Sequence, residues 1–492
     1  MDLVFTPDLI NKKAKIYFVG IKGTGMCALA ELMHKMGCIV SGSDQNEVFY
    51  TDGILKELCI PYFESFDASH ISSLGVLPDF IVYSAAYSPE TNVEIAEAVK
   101  KGIPVCKFPD ALGAYSAGFD SSAIAGVHGK TTTTALVGAL IKGVAAPAQV
   151  LVGSAVGVFG NRSTLFLGNK YFVAETCEYR KHFLSFHPRR IILTSVESDH
   201  QDYYPEYKDI FEAFLEFGRK LPSDGELIYC ADDPGASQAA MVLAREKPGI
   251  KLFPYGFSAD GEYRIESFEV KDERILIRIK GFPGLLKLRI PGRHTALNAA
   301  GAIALVSSIV RKEFGNNEFD GWNEERWEGA RKALEEFSGS ARRSEVLGER
   351  GGILFMDDYG HHPTAIRSTL SGLREFFPGR RIIISFMSHT YTRTAALLDE
   401  FASAFEMADK VLFHKIYSSA REAYIGGING RTLYEKAKTL HSGDERFFYT
   451  EEPDDAFELL KTILKPGDLF VTMGAGNNWT LGKKLFNFYS GH

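Results

Sequence analysis

Residues 126–134 read GVHGKTTTT, just after the apolar pair Ala123-Ile124 and just before ALVGALI. A strand, a glycine turn and a helix opened by a lysine make the arrangement of a phosphate-binding loop. Glycines let main-chain N–H groups approach phosphate oxygens, the lysine reaches the terminal phosphates, and the next hydroxyl holds Mg²⁺. Gly126, Gly129, Lys130 and Thr131 supply those parts. Ile124 stands where the usual pattern has its first glycine, so the loop is a shortened variant. The bland alternative is a βα turn with an exposed lysine; GKTTTT opening a helix straight after a strand favours an ATP loop. Such a loop commits the chain to an α/β domain, with ligands at the carboxyl ends of parallel strands.

The same alternation recurs on both sides of it. Residues 15 to 20 read as a buried strand, followed by a glycine turn and a helix running to about Met36 and ended by Gly37. Further strands are expected in CIVSGSD and over residues 79 to 86, then a helix over 92 to 102 and a strand in IPVCK. A second α/β section starts near residue 114, with strands in SSAIAG, KYFVAE (170 to 175) and RRIILTSV (189 to 196). A β-rich excursion (263 to 281) and a helix near HTALNAAGAIALV follow, then a linker over 337 to 345. A third α/β run carries GILFMDDYGHHP, RRIIISFMSH, KVLFHKI and DLFVTMGAG. At roughly 150 residues per domain, 492 residues accommodate about three domains.

Composition narrows the partners. A net charge of −7 without a basic face excludes a nucleic-acid binder. Six cysteines lack CxxC spacing, which points to free thiols in a reducing compartment and to no zinc site. No stretch approaches the roughly 18 apolar residues of a membrane span, and the N-terminus lacks a cleavage pattern. A cytoplasmic protein without membrane insertion is expected.

Three more constellations carry chemistry. Gly20-x-x-Gly23-x-Gly25 follows a strand and opens a helix, as a dinucleotide fingerprint does, although the spacing is not GxGxxG. Asp44, about 20 residues on, suits a ribose-hydroxyl acceptor. A nicotinamide, another nucleotide diphosphate and a tight structural turn all remain open on these residues alone. Glu175 and His200 end neighbouring apolar strands near the ATP loop and suit Mg²⁺. DDYGHHPTAI gathers two carboxylates, a tyrosine and two imidazoles before a helix.

The order GIKGTGM, GSD, GVHGKTTTT, ESDHQDYY, GRHTALNAAGA, GSARRSE, DDYGHHP, SHTYTRT and TMGAGN resembles the Mur ligase family of peptidoglycan synthesis, over nearly the whole chain. DDYGHHP, HTYTRT and GxxGxGM are most similar to the branch that adds L-alanine, and are shared with the muropeptide-recycling branch. The resemblance implies a Rossmann-like domain (1–113) for UDP-N-acetylmuramate, a central P-loop ATPase-like α/β domain (114–337), and a C-terminal Rossmann-like α/β domain (338–492) for the amino acid. ATP and Mg²⁺ are the implied cofactors, with UDP-N-acetylmuramate and L-alanine as substrates. By motif, Gly126, Val127, His128, Gly129, Lys130, Thr131, Thr132, His294, Asn298 and Arg342 would hold ATP. Gly20, Gly23, Thr24, Gly25, Asp44 and Ser84 would hold the UDP-sugar, and Thr131, Glu175 and His200 the metal. Tyr359, His361, His389 and Arg393 would hold the amino acid, with Lys130, Asp358 and His361 catalytic. The chain departs from the family pattern at Lys22, where GIGGxGM has glycine, at Cys177 in an acidic motif, and at Thr390, where arginine is common.

Overall fold

The computed structural model describes residues 13–73, 75–316, 320–418, 426–441 and 445–491. The chain divides into two units, one of Met1–Val196, Phe211–Arg264 and Ala300–Ala333, the other of Glu197–Ile210, Ile265–Ala299 and Leu334–His492.

The first unit starts with a five-stranded sheet. Its order is Tyr62–Phe63, Ile39–Ser43, Lys15–Val19, Phe80–Tyr83, Val105–Lys107, and every pair is parallel. KIYFV suits the centre because parallel strands are covered on both faces and need near-continuous apolar residues. Tyr17, Phe18 and Val19 are accordingly fully buried. The helix Thr24–Lys35 starts directly on the glycine loop, and Gly37 follows its end at φ +98°. Asn92 caps the helix Val93–Lys100 by accepting from the N–H groups of Glu94 and Ile95.

The same unit holds seven strands in the order Lys251–Gly256, Glu226–Cys230, Arg190–Leu193, Asp120–Ala125, Tyr171–Glu175, Ala148–Val156, Arg162–Phe166. All pair in parallel except the last two. The chain leaves Asp120–Ala125 toward one side of the sheet and returns for Arg190–Leu193 on the other. Residues 126–131 therefore lie where strand order reverses, the position at which open α/β sheets bind ligands. The strands Ala148–Val156, Arg162–Phe166, Glu226–Cys230 and Lys251–Gly256 were not anticipated, and RRIILTSV is a strand only over Arg190–Leu193.

His200 corrects the expectation that it ends a strand. It lies seven residues past Leu193, outside any strand, at φ +55°. The Asp199 carboxylate accepts its main-chain N–H at 2.7 Å. Such local side-chain bonds compete with sheet pairing.

The second unit contains an antiparallel meander whose third strand, Phe282–Leu288, lies beyond the expected excursion. Its main sheet runs Glu345–Arg350, Ile353–Asp358, Leu469–Gly474, Ile382–Met387, Lys410–Phe413, Phe447–Tyr449, with only the first pair antiparallel. Ile353, Phe355, Ile383, Leu412, Phe470 and Leu485 form its core on one face.

A buried histidine makes this unit acid-sensitive. His414 is 2 % exposed, and its ring bonds to Ser385 Oγ and Thr450 Oγ1 at 2.8 and 3.1 Å. Burial pushes its pKa down to about 4, against weaker support for the proton from Thr450 and Glu452. The folded value lies below the unfolded one of about 6.5. Between those values the unfolded chain binds a proton that the folded chain refuses, so stability falls as pH drops from about 6.5 toward 4. His414→Gln is expected to flatten that slope by about one proton, near 1.4 kcal/mol per pH unit. Urea unfolding from pH 4.5 to 7 checks this, and parallel curves for the two proteins would contradict it.

Candidate active site

The phosphate loop is shaped by the neighbouring strand end. Gly126 has φ +137°, and a Cβ there would lie 2.1 Å from Thr194 Oγ1. That hydroxyl donates to the carbonyls of Ala125 and His128. Val127 and His128 donate their N–H groups to the Ser195 carbonyl and Oγ at 3.1 and 2.9 Å. Gly129, at φ +82°, turns the chain into the helix Lys130–Val144, so Lys130, Thr131 and Thr132 offer N–H groups at its positive end. Lys130 Nζ donates to the carbonyls of Gly126 and Val127 and pairs with Glu178 Oε2 at 2.8 Å. Burial works against its charge, but Glu178, with Cys177 and Glu175, holds its pKa above the ordinary lysine value.

Glu175 ends the strand beside Asp120–Ala125, in register with Ile124. A Cβ on Gly153 would lie 2.0 Å from Glu175 Oε1, so only glycine leaves the carboxylate its place. Glu175 Oε2 is buried without a hydrogen-bond partner among the described residues. A hard cation suits such an acceptor, and the Thr131 hydroxyl opens the adjacent helix. These two groups fit Mg²⁺, which the resemblance implies.

Lys130 and Glu175 open onto a cavity of about 210 Å³. Phe108, Leu112, Phe183 and Phe186 wall it, and Gly25 borders it. A Cβ on Gly25 would lie 2.9 Å from Phe108 Cζ, so the glycine lets the loop close on the ring. The cavity thus joins the two glycine loops; neither its aromatic wall nor the pairing of Glu178, a carboxylate of the acidic motif, with Lys130 is readable from the sequence.

The N-terminal glycine loop is held by main-chain bonds. Gly20 and Ile21 donate to the Ser43 carbonyl at 2.8 and 3.0 Å. Asp44 Oδ2 accepts from Lys22 N at 2.7 Å and Oδ1 from Gln45 N at 2.8 Å. Asp44 therefore braces the loop, whatever else it contacts. Gly20, at φ +86°, abuts Ser84 and the Tyr87 ring, leaving about 3.0 Å to any added Cβ. Gly23 precedes the helix that Thr24 opens, and the Thr24 hydroxyl bonds to Tyr50.

In the second unit, Tyr359, His361, His389 and Arg393 come together. The His361 ring lies 5.0 Å from that of Tyr359 and 5.6 Å from that of His389. His361 Nδ1 donates to the Tyr359 carbonyl at 2.8 Å, which leaves Nε2 as the basic nitrogen. Burial, then Arg393 and His389, push its pKa well below the usual histidine value, against Asp199. His361 is therefore neutral at pH 7.

Arg393 is 4 % exposed. Its Nε and Nη2 donate to Asp199 Oδ1 at 2.9 and 2.7 Å, and its Nη1 to His389 Nδ1 at 3.1 Å. His389 then carries its hydrogen on Nε2. Asp199 is a partner that spacing could not show, since it lies 194 positions from Arg393 in the chain. With His200, Asp202 and Thr390, Arg393 and His389 line a cavity of about 20 Å³.

Asp358 is fully engaged locally. Oδ2 accepts from Ser344 N and Oγ at 2.7 and 3.1 Å, and Oδ1 from Gly360 N at 2.8 Å. Arg342 pairs with Asp357 Oδ2 at 2.9 Å and donates to the Gly474 carbonyl at 2.7 Å. Arg342 and Arg343 lie over the Tyr359 ring at 5.1 and 5.0 Å. His294 and Asn298 lie on the first turns of the helix Arg293–Phe314, with the His294 ring against Gly292.

Comparison with known proteins agrees with this layout. Three family models match in sequence order: "Mur ligase family, catalytic domain" over residues 15–120, "Mur ligase middle domain" over 124–306, and "Mur ligase, glutamate ligase domain" over 342–476. The chain is 50 % identical to a UDP-N-acetylmuramate–L-alanine ligase of Treponema pallidum over 475 residues, 96 % of each chain. It is 36 % identical to one of Borreliella afzelii, covering 95 % of this chain and 97 % of that one. Among solved structures, the UDP-N-acetylmuramate–alanine ligase of Thermotoga maritima superposes with a TM-score of 0.74 at 26 % identity, over 97 % of this chain and 99 % of that one. Matches in this order along almost the entire length, with half the residues identical in a full-length relative, establish that the chain belongs to the Mur ligase family.

Proposed function

We propose that this chain is an ATP-dependent ligase that joins L-alanine to the carboxylate of UDP-N-acetylmuramate in peptidoglycan precursor synthesis. The 210 Å³ cavity carries this reading: it connects the N-terminal glycine loop to Lys130 and Glu175, so one extended substrate can reach from a nucleotide site to the transferring phosphate. Relatives bearing that activity in name at up to 50 % identity support it. The domain limits 1–113, 114–337 and 338–492, a cytoplasmic location and the nucleotide contacts of His294, Asn298 and Arg342 belong to the same reading.

The sugar carboxylate is a poor electrophile until it is phosphorylated. Its oxygen attacks the γ-phosphorus of ATP, ADP leaves, and an acyl phosphate forms. Lys130 and the helix N-terminus neutralise the charge that would repel the nucleophile. Thr131 and Glu175 would hold Mg²⁺, which would supply further charge neutralisation at the phosphates. His200, the third ligand implied by the resemblance, lies in the second unit, where its Nε2 is 3.8 Å from Asp199 Oδ2. The alanine amine then attacks the acyl carbon. His361 is suited to take its proton because it is already neutral and its Nδ1 is fixed by the Tyr359 carbonyl. The tetrahedral intermediate collapses and releases phosphate.

The 20 Å³ cavity beside His389 and Arg393 suits a methyl-sized side chain. One methylene is worth about 1–3 kcal/mol, or roughly 10–200-fold, so glycine and L-serine are expected to react weakly and L-leucine hardly at all. Phosphate release with UDP-N-acetylmuramate against a panel of amino acids and L-Ala-containing peptides tests the reading. Turnover with the peptides and none with L-alanine would replace it by muropeptide recycling.

Glu175→Ala is expected to shift the magnesium titration of activity to higher concentration while leaving the KM for UDP-N-acetylmuramate within about twofold, because binding and metal contacts are separate determinants. Titrations that superimpose on the parent protein would remove Glu175 from the metal site.

A further inference from the structure

We propose that Lys22 is a positioning residue that holds segment 45–50 ready for the nucleotide-sugar. Lysine in a glycine loop would ordinarily be read as a phosphate ligand. Here the side chain turns inward and is 1 % exposed. Its Nζ donates to the carbonyls of Gln45 and Glu47 at 3.2 and 3.0 Å, and pairs with Asp52 Oδ1 and Glu64 Oε1, each at 3.2 Å. The Tyr62 ring lies beneath it at 5.3 Å. Burial disfavours the ammonium, but Glu64 and Asp52 raise its pKa, so it stays charged.

The bonds around Lys22 form one closed unit. Its N–H is held by Asp44, and its carbonyl accepts from Thr51 Oγ1 at 2.6 Å. Asp52 in turn accepts from Phe49 N at 2.7 Å and from the Tyr62 hydroxyl at 2.6 Å. Segment 45–50 is thereby tied to the glycine loop at both ends, while its middle faces solvent: Val48 is 98 % exposed. Tyr50 extends the tie by bonding to Ser163 Oγ at 2.8 Å. An exposed segment with so few apolar contacts would open easily without the ammonium. Fixing it before the ligand arrives removes an ordering cost from binding.

This inference rests on the reading that the glycine loop receives UDP-N-acetylmuramate, so the test has one arm that needs no substrate. Lys22→Met and the milder Glu64→Gln, at a half-exposed carboxylate, are compared with the parent chain. Amide hydrogen exchange at 45–50 in the nucleotide-free protein is expected to speed up by about tenfold in Lys22→Met and less in Glu64→Gln. The KM for UDP-N-acetylmuramate should rise by about tenfold, with kcat and the KM for ATP within twofold. Unchanged exchange with a raised KM would make Lys22 a direct ligand and overturn the proposal. Faster exchange with an unchanged KM would overturn it too, as would a uniform loss in all three constants. If Lys22→Met does not fold, Glu64→Gln decides by the same criteria. Absence of any turnover in the parent protein would refute the proposed reaction, while the exchange arm would still report on the clamp.

Discussion

Lys130→Ala is expected to lower kcat by about 10²-fold or more, because a preorganised cation aimed at moving phosphate charge contributes on that scale. The structure adds a second effect. Lys130 balances Glu178, which is 3 % exposed, so its removal also takes a cation from a buried carboxylate. The variant should therefore be less stable as well as inactive. Lys130→Ala combined with Glu178→Gln separates the two roles. The double variant should regain melting temperature and remain inactive. Near-parental kcat at saturating ATP in either protein would defeat the phosphate-loop assignment.

Arg393→Ala should produce the largest loss of stability. Asp199 is nearly fully buried, and although burial opposes its ionisation, the Arg393 guanidinium holds its pKa well below the usual carboxylate range. Breaking a buried pair from one side typically costs about 3–5 kcal/mol, because an uncompensated charge is left behind. Removing the aspartate as well should restore part of the loss, and a thermodynamic cycle over Arg393→Ala, Asp199→Ala and the double variant measures it. Additive effects would mean that the pair is not coupled. The KM for L-alanine should rise more than that for ATP, because His389 loses the donor that fixes its tautomer. The guanidinium's bonds to Asp199 and His389 make that effect largely indirect.

Why some of this was legible in the sequence and some not follows from how local each feature is. The two glycine loops and their helices are written in consecutive residues, and the strands Lys15–Val19 and Ile353–Asp358 carry the apolar runs IYFV and ILFM. Lys251–Gly256 gives little strand signal because it contains Pro254 and ends in a glycine. RRIILTSV predicts a strand that leads toward His200, whereas the chain leaves the sheet after Leu193 and Asp199 captures the His200 N–H. The Asp199–Arg393 pair joins residues 194 positions apart, and no spacing rule reaches so far. Nothing local marks Phe108 and Phe186, which only the fold sets around one cavity. Lys22 stood out only as a departure from a glycine pattern; its acidic partners lie 30 and 42 positions later.

The contact between Gly126 and Thr194 makes these two positions epistatic. Alanine at 126 would place its Cβ 2.1 Å from the Thr194 hydroxyl, in a backbone conformation that side chains rarely adopt. Shortening Thr194 to alanine would relieve the clash but not the conformation, and would also remove the bonds to Ala125 and His128 that shape the loop. Neither single change nor their combination is expected to preserve the shape of the loop. The shape of the phosphate loop is in that sense set jointly with the residue that follows the neighbouring strand, although the two residues are 68 positions apart.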